Sequence, residues 1–205
     1  MTGHTDAMNP IRVYRDDGPL ARQLGVLAGG QIPPLLTAFA GALVTLVLAL
    51  TGVSDLPGIT IATPVVAMLL AGLGTGAPHR GRLDWLVPPI LRVTEYTFIA
   101  VVGLTSSAPR PVVYVLLAAM AFHHYDLVYR VRQRIAPPSW VNLAGLGWDG
   151  RMLVVAVGAM FGIEPFAFGA LAGYLWVLFA GESVRSWLAT PRRTDQTVDL
   201  EEEGA

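Results

Sequence analysis

The chain contains no cysteine and no lysine, and it carries little charge. Without cysteine it can form no disulfide, no thiolate nucleophile and no cysteine-ligated metal site. Charged residues make up 14% of the 205 residues, against roughly a quarter in a typical soluble domain. Hydrophobic residues make up 53%, and the mean hydropathy is +0.53. Because a soluble fold of this composition would expose large apolar patches, we predict an integral membrane protein.

The 14 basic residues are all arginine, and the formal net charge is -1. This balance argues against a nucleic-acid-binding protein, which would show a strongly basic surface. Arginine suits bidentate contacts with phosphate and lipid head groups, although a GC-rich genome explains the absence of lysine more simply. We expect no cleaved signal peptide, because residues 1–31 are mostly polar and the first long apolar run follows them.

Six apolar segments are candidates to cross the roughly 30 Å of hydrocarbon, which takes about 20 residues, and the fifth of them is shorter than that. They are residues 33–53, 59–75, 84–105, 112–129, 151–163 and 166–183. We therefore predict an all-α, multi-pass bundle of about six transmembrane helices in the cell membrane, spanning residues 32–189. Residues 1–31 are predicted to form a cytosolic N-terminal arm, and residues 190–205 a disordered acidic tail.

The arginines predict the orientation of this bundle. If both termini are cytoplasmic, only Arg110 falls in an outer loop, Arg92 lies inside a span, and the other twelve arginines are cytoplasmic. This asymmetry is typical of the positive-inside rule. These twelve are Arg12, Arg15, Arg22, Arg80, Arg82, Arg130, Arg132, Arg134, Arg151, Arg185, Arg192 and Arg193. We predict that both termini are cytoplasmic.

The N-terminal arm includes the sequence GPLARQLGVLAGG, residues 18–30. It suits a short helix at the membrane interface near anionic lipid, and a solvated tail is the alternative. Within it, Asp17 to Arg22 match the DGxxAR core of the CDP-alcohol phosphotransferase signature. That family has an aspartate three residues earlier and two more afterwards, which together hold a divalent metal. Here the earlier position is Tyr14, and no acidic residue lies between Asp17 and Asp55, so we do not transfer this activity.

Glu95 is the residue whose charge costs the most free energy to place within the predicted spans. It follows Asp84 by eleven positions, which places it roughly 16 Å along a helix, near the bilayer midplane. A charge at that depth usually faces the interior and has a partner, and Arg92 stands three positions earlier. The pair either fixes the register of the helix or provides a place for a substrate head group or a proton.

His123, His124 and Asp126 lie where an apolar run becomes polar. In a helix, His123, Asp126 and Arg130 share one face, which we expect to point into the bundle. Three interpretations remain open. With Glu95 these residues could hold zinc or manganese, but their spacing is not a specific ligand motif, so we predict no metal site. They could relay protons, or they could simply satisfy one another.

Several arginines are predicted to form a basic rim at the cytoplasmic end of the bundle. This rim either results from the membrane topology alone, or it binds a phosphate or an anionic lipid head group. The candidate lipid- or phosphate-binding residues are Arg80, Arg82, Arg92, Arg130, Arg132, Arg134 and Arg151. Asp149 is predicted to cap the fifth membrane helix through its carboxylate.

Five stretches together resemble an uncharacterised family of actinobacterial polytopic membrane domains, over nearly all of residues 10–188. They are YRDDGPLAR, TPVVAMLLA, GRLDWLVPP, HHYDL and GLGWDGRML. In larger relatives this domain follows nucleotidyltransferase-like and CDP-alcohol phosphotransferase-like domains. The resemblance implies an association with phospholipid head-group synthesis. It implies no catalytic residue, because the family offers no established chemistry.

Three functional hypotheses follow. The first is a non-catalytic accessory module that binds membrane lipids, or a CDP-alcohol phosphotransferase-like synthase, without a cofactor or nucleic acid. The second is an enzyme acting on lipid or polyprenyl phosphates, with Glu95, His123 and Asp126 as candidate acid-base groups. The third is a small transporter with Arg92 and Glu95 in its path. A homo-oligomer is compatible with each of them.

Overall fold

The computed structural model describes residues 10–51, 57–135 and 138–189, and all regular structure within these residues is helical. The helices are α1 (Pro10–Arg15), α2 (Pro19–Leu27), α3 (Pro34–Thr51), α4 (Pro57–Leu73), α5 (Val87–Thr105), α6 (Arg110–Arg132), α7 (Ser139–Ala144), α8 (Gly147–Met160) and α9 (Glu164–Ala189). A 3-10 turn, Asp84–Leu86, leads into α5. The predicted acidic tail, residues 190–205, lies outside the described residues.

Five segments are long and apolar enough to cross a membrane. They are Pro34–Thr51, Asp84–Thr105, Arg110–Arg132, Ser139–Met160 and Glu164–Ser186. Helix α4, which matches the second predicted span, has 17 residues and is slightly shorter than these. The predicted all-α fold is therefore confirmed for the described residues, with five candidate spans.

Helices α5 and α8 form the centre of the bundle. Half of each of their spans is buried, compared with one third for α3 and α6. Helix α8 packs against α4, α5 and α9, while α3 packs against α4 and α5, and α6 packs against α9. The largest core side chains come from α5, α6, α8 and α9, and include Phe98, Met120, Met152 and Phe168. Polar residues near the start of α8 consequently contact several other elements.

The segment between α6 and α8 differs from the prediction. The predicted spans end at residue 129 and resume at residue 151, with no helix predicted between them. Instead α7 lies within this segment, and α8 begins at Gly147. Leu146 and Gly147 both have positive φ, 66° and 65°, and two successive left-handed residues interrupt a right-handed helix. The fifth span is therefore built from two helical pieces.

The N-terminal segment packs into the bundle, which the interpretation as a solvated tail did not anticipate. Helix α2 lies against α4 and α8, with Ala21 buried. Its outer face exposes Val26 and Leu27, as suits a helix at a membrane interface. The turn between α1 and α2 is buried, and it carries three charged residues in a row, Arg15, Asp16 and Asp17. This turn brings ionic groups to the centre of one end of the bundle.

Candidate functional site

A buried chain of ion pairs joins the N-terminal turn to α5 and α8. Arg151 donates from Nη2 to Asp16 Oδ2 at 2.7 Å and from Nε to Glu95 Oε1 at 2.6 Å. Glu95 accepts a second bond at Oε2 from Arg92 Nη1, 2.7 Å away, as the i, i+3 spacing predicted. The two arginines balance the two carboxylates, and Glu95 and Arg151 have no solvent exposure. We call Asp16, Arg92, Glu95 and Arg151 the central cluster.

His123 and His124 of α6 flank the central cluster. Their Nε2 atoms lie 3.4 Å and 3.6 Å from Asp16 Oδ2. The His123 ring stacks on Phe179 with centroids 3.9 Å apart. His124 Nε2 lies 2.5 Å from Arg92 Nη1, and since arginine can only donate, this nitrogen must accept. The ring proton therefore sits on Nδ1, which is 3.0 Å from the Tyr96 hydroxyl.

Asp16 is an ionised carboxylate in this arrangement. Burial alone would raise its pKa, but the charge of Arg151 and the neighbouring His123 hold the pKa of Asp16 well below its usual value. Asp16 thus acts as a fixed negative charge between three helices. It also joins α8 through its backbone, because the Trp148 N–H donates to the Asp16 carbonyl at 3.2 Å.

Further contacts of Asp17 and Asp149 hold the N-terminal turn in place. Arg15 pairs with Asp17 at 2.6 Å, and Asp17 accepts a bond from Trp148 Nε1 at 2.9 Å. Asp149 accepts from the backbone N–H groups of Gly18 at 2.6 Å and Ala21 at 3.0 Å. The prediction that Asp149 caps its own helix is therefore wrong. Its carboxylate caps α2, because the turn approaches α8 closely enough to present free N–H groups.

The close approach of these two segments requires glycine. A Cβ atom at Gly18 would lie 2.2 Å from both Asp149 Oδ1 and the Leu146 carbonyl oxygen. A Cβ atom at Gly147 would lie 2.1 Å from the Gly18 nitrogen, and Gly147 has a φ of +65°. The two glycines let the backbones of the N-terminal turn and α8 come together, which closes the site on that side.

Asp126 does not share the environment of His123, although the predicted face of α6 grouped them. Asp126 pairs with Arg130 at 2.6 Å, and Arg130 also binds Glu182 of α9 at 2.7 Å. His123 is instead buried beside Asp16. The i, i+3 spacing places the two residues on neighbouring parts of the helix surface, and the packing of α9 separates them. Asp126, Arg130 and Glu182 form what we call the α6–α9 cluster.

The predicted basic rim divides into buried and exposed arginines. Arg151 is fully buried and donates from Nε, Nη1 and Nη2 to groups of the protein. Arg130 is also buried and pairs with Asp126 and Glu182. The exposed members are Arg80, Arg82, Arg132 and Arg134. Near the exposed arginines, burial and the charge of the buried Arg15 lower the pKa of His79.

A groove leads from the protein surface to the central cluster. It is a cavity of about 420 Å³ between α1, the start of α5 and the end of α6, and we call it the α1–α6 groove. Its apolar walls end on two polar side chains, Arg92 and His124. It is lined by Ile11, Tyr14, Trp85, Pro88, Pro89, Arg92, His124, Leu127 and Val128. Of the central cluster and the two flanking histidines, Arg92 and His124 are the residues that line this groove.

The carboxylates of the central cluster do not form a metal site. Within residues 10–51, 57–135 and 138–189, no three histidine or acidic side chains are placed to hold one ion. Both oxygens of Glu95 already accept bonds from arginine. A cation would have to displace these arginines, so the arrangement favours binding an anion at the exposed arginine edge.

Sequence reasoning identified Glu95, Arg92, His123, His124 and Arg151 but missed the N-terminal contribution. Arg15, Asp16 and Asp17 were assigned to an arm outside the bundle. The available signal was the run RDDG directly before Pro19, because Gly-Pro marks a turn ahead of a helix. Nothing in the spacing indicated that this turn would face α8.

No curated protein and no solved structure matches the chain. A family model, described as a family of unknown function (DUF5941), matches residues 5–204. The match includes the N-terminal turn, His123, His124 and the start of α8, so one family model covers the whole central cluster and its two flanking histidines. The chain therefore belongs to this family of unknown function, DUF5941.

Proposed function

We propose that the chain is a six-span membrane protein with both termini cytoplasmic, and that it serves as a non-catalytic module for binding an anionic lipid. The five long apolar helices support this, with α4 as the shorter sixth span. The arginine distribution supports the orientation. The proposal depends above all on the α1–α6 groove, whose apolar walls end on Arg92 and His124.

The order of charges in the central cluster makes the groove suitable for an anion. The Arg92 side chain is 16% exposed, whereas the carboxylates behind it, Asp16 and Glu95, are 2% and 0% exposed. Arg92 Nε is buried and has no partner among the described residues. A phosphate or carboxylate entering the groove would therefore meet the exposed part of a cationic side chain before it meets any negative charge.

The depth of this cation favours a lipid over a soluble anion. Arg92 lies five residues into α5, roughly 8 Å from the start of the helix. Arg92 already pairs with Glu95 on its inner side, and an anion that approaches its outer side through apolar surroundings is less costly to desolvate as part of a lipid than as a free ion. Trp85 at the mouth is exposed, which is typical of the membrane interface. The apolar walls then fit an acyl chain.

The contacts of the candidate catalytic residues support a non-catalytic role. Glu95 uses both oxygens for arginine, so neither is free to take a substrate proton. His123 stacks on Phe179 and is only 3% exposed. Asp126 lies in a different cluster. These residues are better suited to holding the N-terminal turn and Arg92 in place than to acid-base chemistry.

The resemblance to actinobacterial membrane domains suggests which pathway uses the lipid. Larger relatives carry nucleotidyltransferase-like and CDP-alcohol phosphotransferase-like domains. We propose that the bound lipid belongs to phospholipid head-group synthesis, and that a CDP-alcohol phosphotransferase-like synthase is the partner. The exposed arginines Arg80, Arg82, Arg132 and Arg134 would face anionic head groups beside the bundle.

Fluorescence quenching tests the lipid assignment. The full chain is placed in phosphatidylcholine nanodiscs and titrated with phosphatidic acid carrying brominated acyl chains. We expect saturable quenching of tryptophan fluorescence that is largely lost in Trp85→Phe. Arg92→Gln should weaken binding about tenfold, because a charge-assisted hydrogen bond is lost. Arg110→Gln, an exposed arginine at the opposite end of the bundle with no role in the groove, is the matched control.

A second variant separates binding from folding, because Arg92 also belongs to the central cluster. Val128 lines the groove but has no part in that cluster. Val128→Phe should block the groove and remove the saturable quenching while the protein stays folded. Equal quenching by brominated phosphatidylcholine, or unchanged quenching in Val128→Phe, would overturn the proposal.

A further inference from the structure

A second groove lies on the other side of α6. It is a cavity of about 460 Å³ between α6 and the end of α9, which we call the α6–α9 groove. Its lining is Phe122, Tyr125, Asp126, Tyr129, Ser183, Val184 and Leu188. No residue of the α1–α6 groove contributes to it, so it is a separate site and does not depend on the function proposed above.

The ionic groups of the α6–α9 cluster give this groove a negative character. Asp126 and Glu182 share one cation, Arg130, so the three side chains of the cluster together carry one net negative charge. Asp126 is 21% exposed and lines the groove, while Arg130 is 7% exposed and lies behind it. Arg185, the next charge along α9, lines a different cavity together with Arg130 and Glu182, on the side of the cluster away from this groove. The charged atom presented to the groove is therefore a carboxylate oxygen.

The neighbouring side chains are suited to a cation. Tyr125 and Tyr129 stack with centroids 6.4 Å apart and present their rings at the groove, and aromatic faces attract ammonium groups. Ser183 Oγ is buried and has no hydrogen-bond partner among the described residues. It adds a second acceptor beside Asp126. Two acceptors favour an ammonium that carries N–H donors over a quaternary one, which has none.

We propose that the α6–α9 groove binds the primary ammonium head group of a membrane lipid of the phosphatidylethanolamine class. The ammonium donates to Asp126 and Ser183 and lies beside the tyrosine rings. Phe122 lies one helical turn before Asp126 on α6, nearer to the bilayer centre, and contacts the start of the acyl chain, while Val184 and Leu188 flank the head group along α9. The chain thus holds lipids of two head-group types on opposite sides of one helix.

Native mass spectrometry of the purified full chain tests this assignment. The protein in a non-ionic detergent is mixed with equal amounts of phosphatidylethanolamine and phosphatidylcholine that have identical short acyl chains. We expect the ethanolamine lipid to be retained about tenfold more strongly, because only its ammonium donates to the carboxylate. Asp126→Asn should abolish that preference. Glu164→Gln removes a carboxylate from the opposite end of α9 and should preserve it.

A variant that does not touch the ion pairs keeps the test decisive. Val184 is exposed and lines the groove, so Val184→Phe should reduce retention of the ethanolamine lipid without changing the α6–α9 cluster. Val128→Phe, which blocks the other groove, should leave it unchanged. Equal retention of both lipids by the wild-type chain, or an unchanged preference in Asp126→Asn, would overturn the proposal.

Discussion

The two grooves beside α6 present opposite charges, although both are built from arginine–carboxylate pairs. In the α1–α6 groove Arg92 stands in front and Asp16 and Glu95 lie buried behind it. In the α6–α9 groove Asp126 stands in front and Arg130 lies behind. The sign that a ligand meets is therefore decided by which partner of each pair is nearer the surface, and a count of charges does not reveal it.

The two clusters also differ in how completely they are shielded. The central cluster is enclosed by five elements: the N-terminal turn, α5, α6, α8 and the backbone before α8. The α6–α9 cluster joins two helices and keeps one carboxylate partly exposed. Removing a partner from a fully buried pair leaves a charge without water, whereas a partly exposed charge can be hydrated. Three predictions rest on this contrast.

The largest effect is expected for Arg151→Met. The substitution leaves Asp16 and Glu95 buried, with Arg92 as their remaining arginine, so we expect the free energy of unfolding to fall by about 3–5 kcal/mol. Unfolding in mixed micelles with increasing SDS measures this loss. Arg132→Met, at an exposed position, should change it by less than about 0.5 kcal/mol. A loss no larger than that of the control would mean that the central cluster does not hold the bundle together.

A smaller effect is expected for Arg130→Met. Glu182 loses its only arginine partner among the described contacts, but Asp126 remains within reach of water. We expect a loss of about 2 kcal/mol in the same measurement. If Arg130→Met destabilises the protein more than Arg151→Met does, the contrast between a shielded and an open cluster is wrong.

The smallest effect is expected for Tyr96→Phe. This removes the hydroxyl that accepts the His124 Nδ1 proton, and hydrogen bonds inside membrane proteins average about 0.6 kcal/mol. The free energy of unfolding should fall by about that amount, and binding to the α1–α6 groove should weaken slightly. Phosphatidylethanolamine retention, which depends on the other groove, should stay the same, and a change there would show that the grooves are coupled.

Much of the fold could be predicted because bilayer-crossing helices have a strong local signal. The apolar runs located α3, α4, α5, α6, α8 and α9 to within a few residues at most ends. The Arg92–Glu95 pair followed from helix geometry alone, since residues three apart lie on one face. The start of α8 was missed because its boundary depends on two left-handed residues, Leu146 and Gly147, and only Gly147 gave a sign of this.

The candidate site was predicted only in part because its partners are distant in sequence. Arg151 bonds to a residue 135 positions away in the chain and to another 56 positions away. The helix face drawn through His123, Asp126 and Arg130 had the correct spacing, but α9 covers part of it and divides it between two clusters. Helical periodicity describes a surface and does not say which neighbour will cover it.

Composition and local pattern alone determined that this chain is helical and apolar enough for a membrane. They also showed that several ionisable residues lie within or beside its apolar segments. Length and hydropathy are properties of each segment, so no long-range contact is needed to recognise them. Only the tertiary structure decided that the N-terminal turn enters the bundle, that Asp149 caps α2, and which charge faces each groove. These outcomes depend on which helices pack together, because a buried ion pair forms only where packing brings its two members within bonding distance.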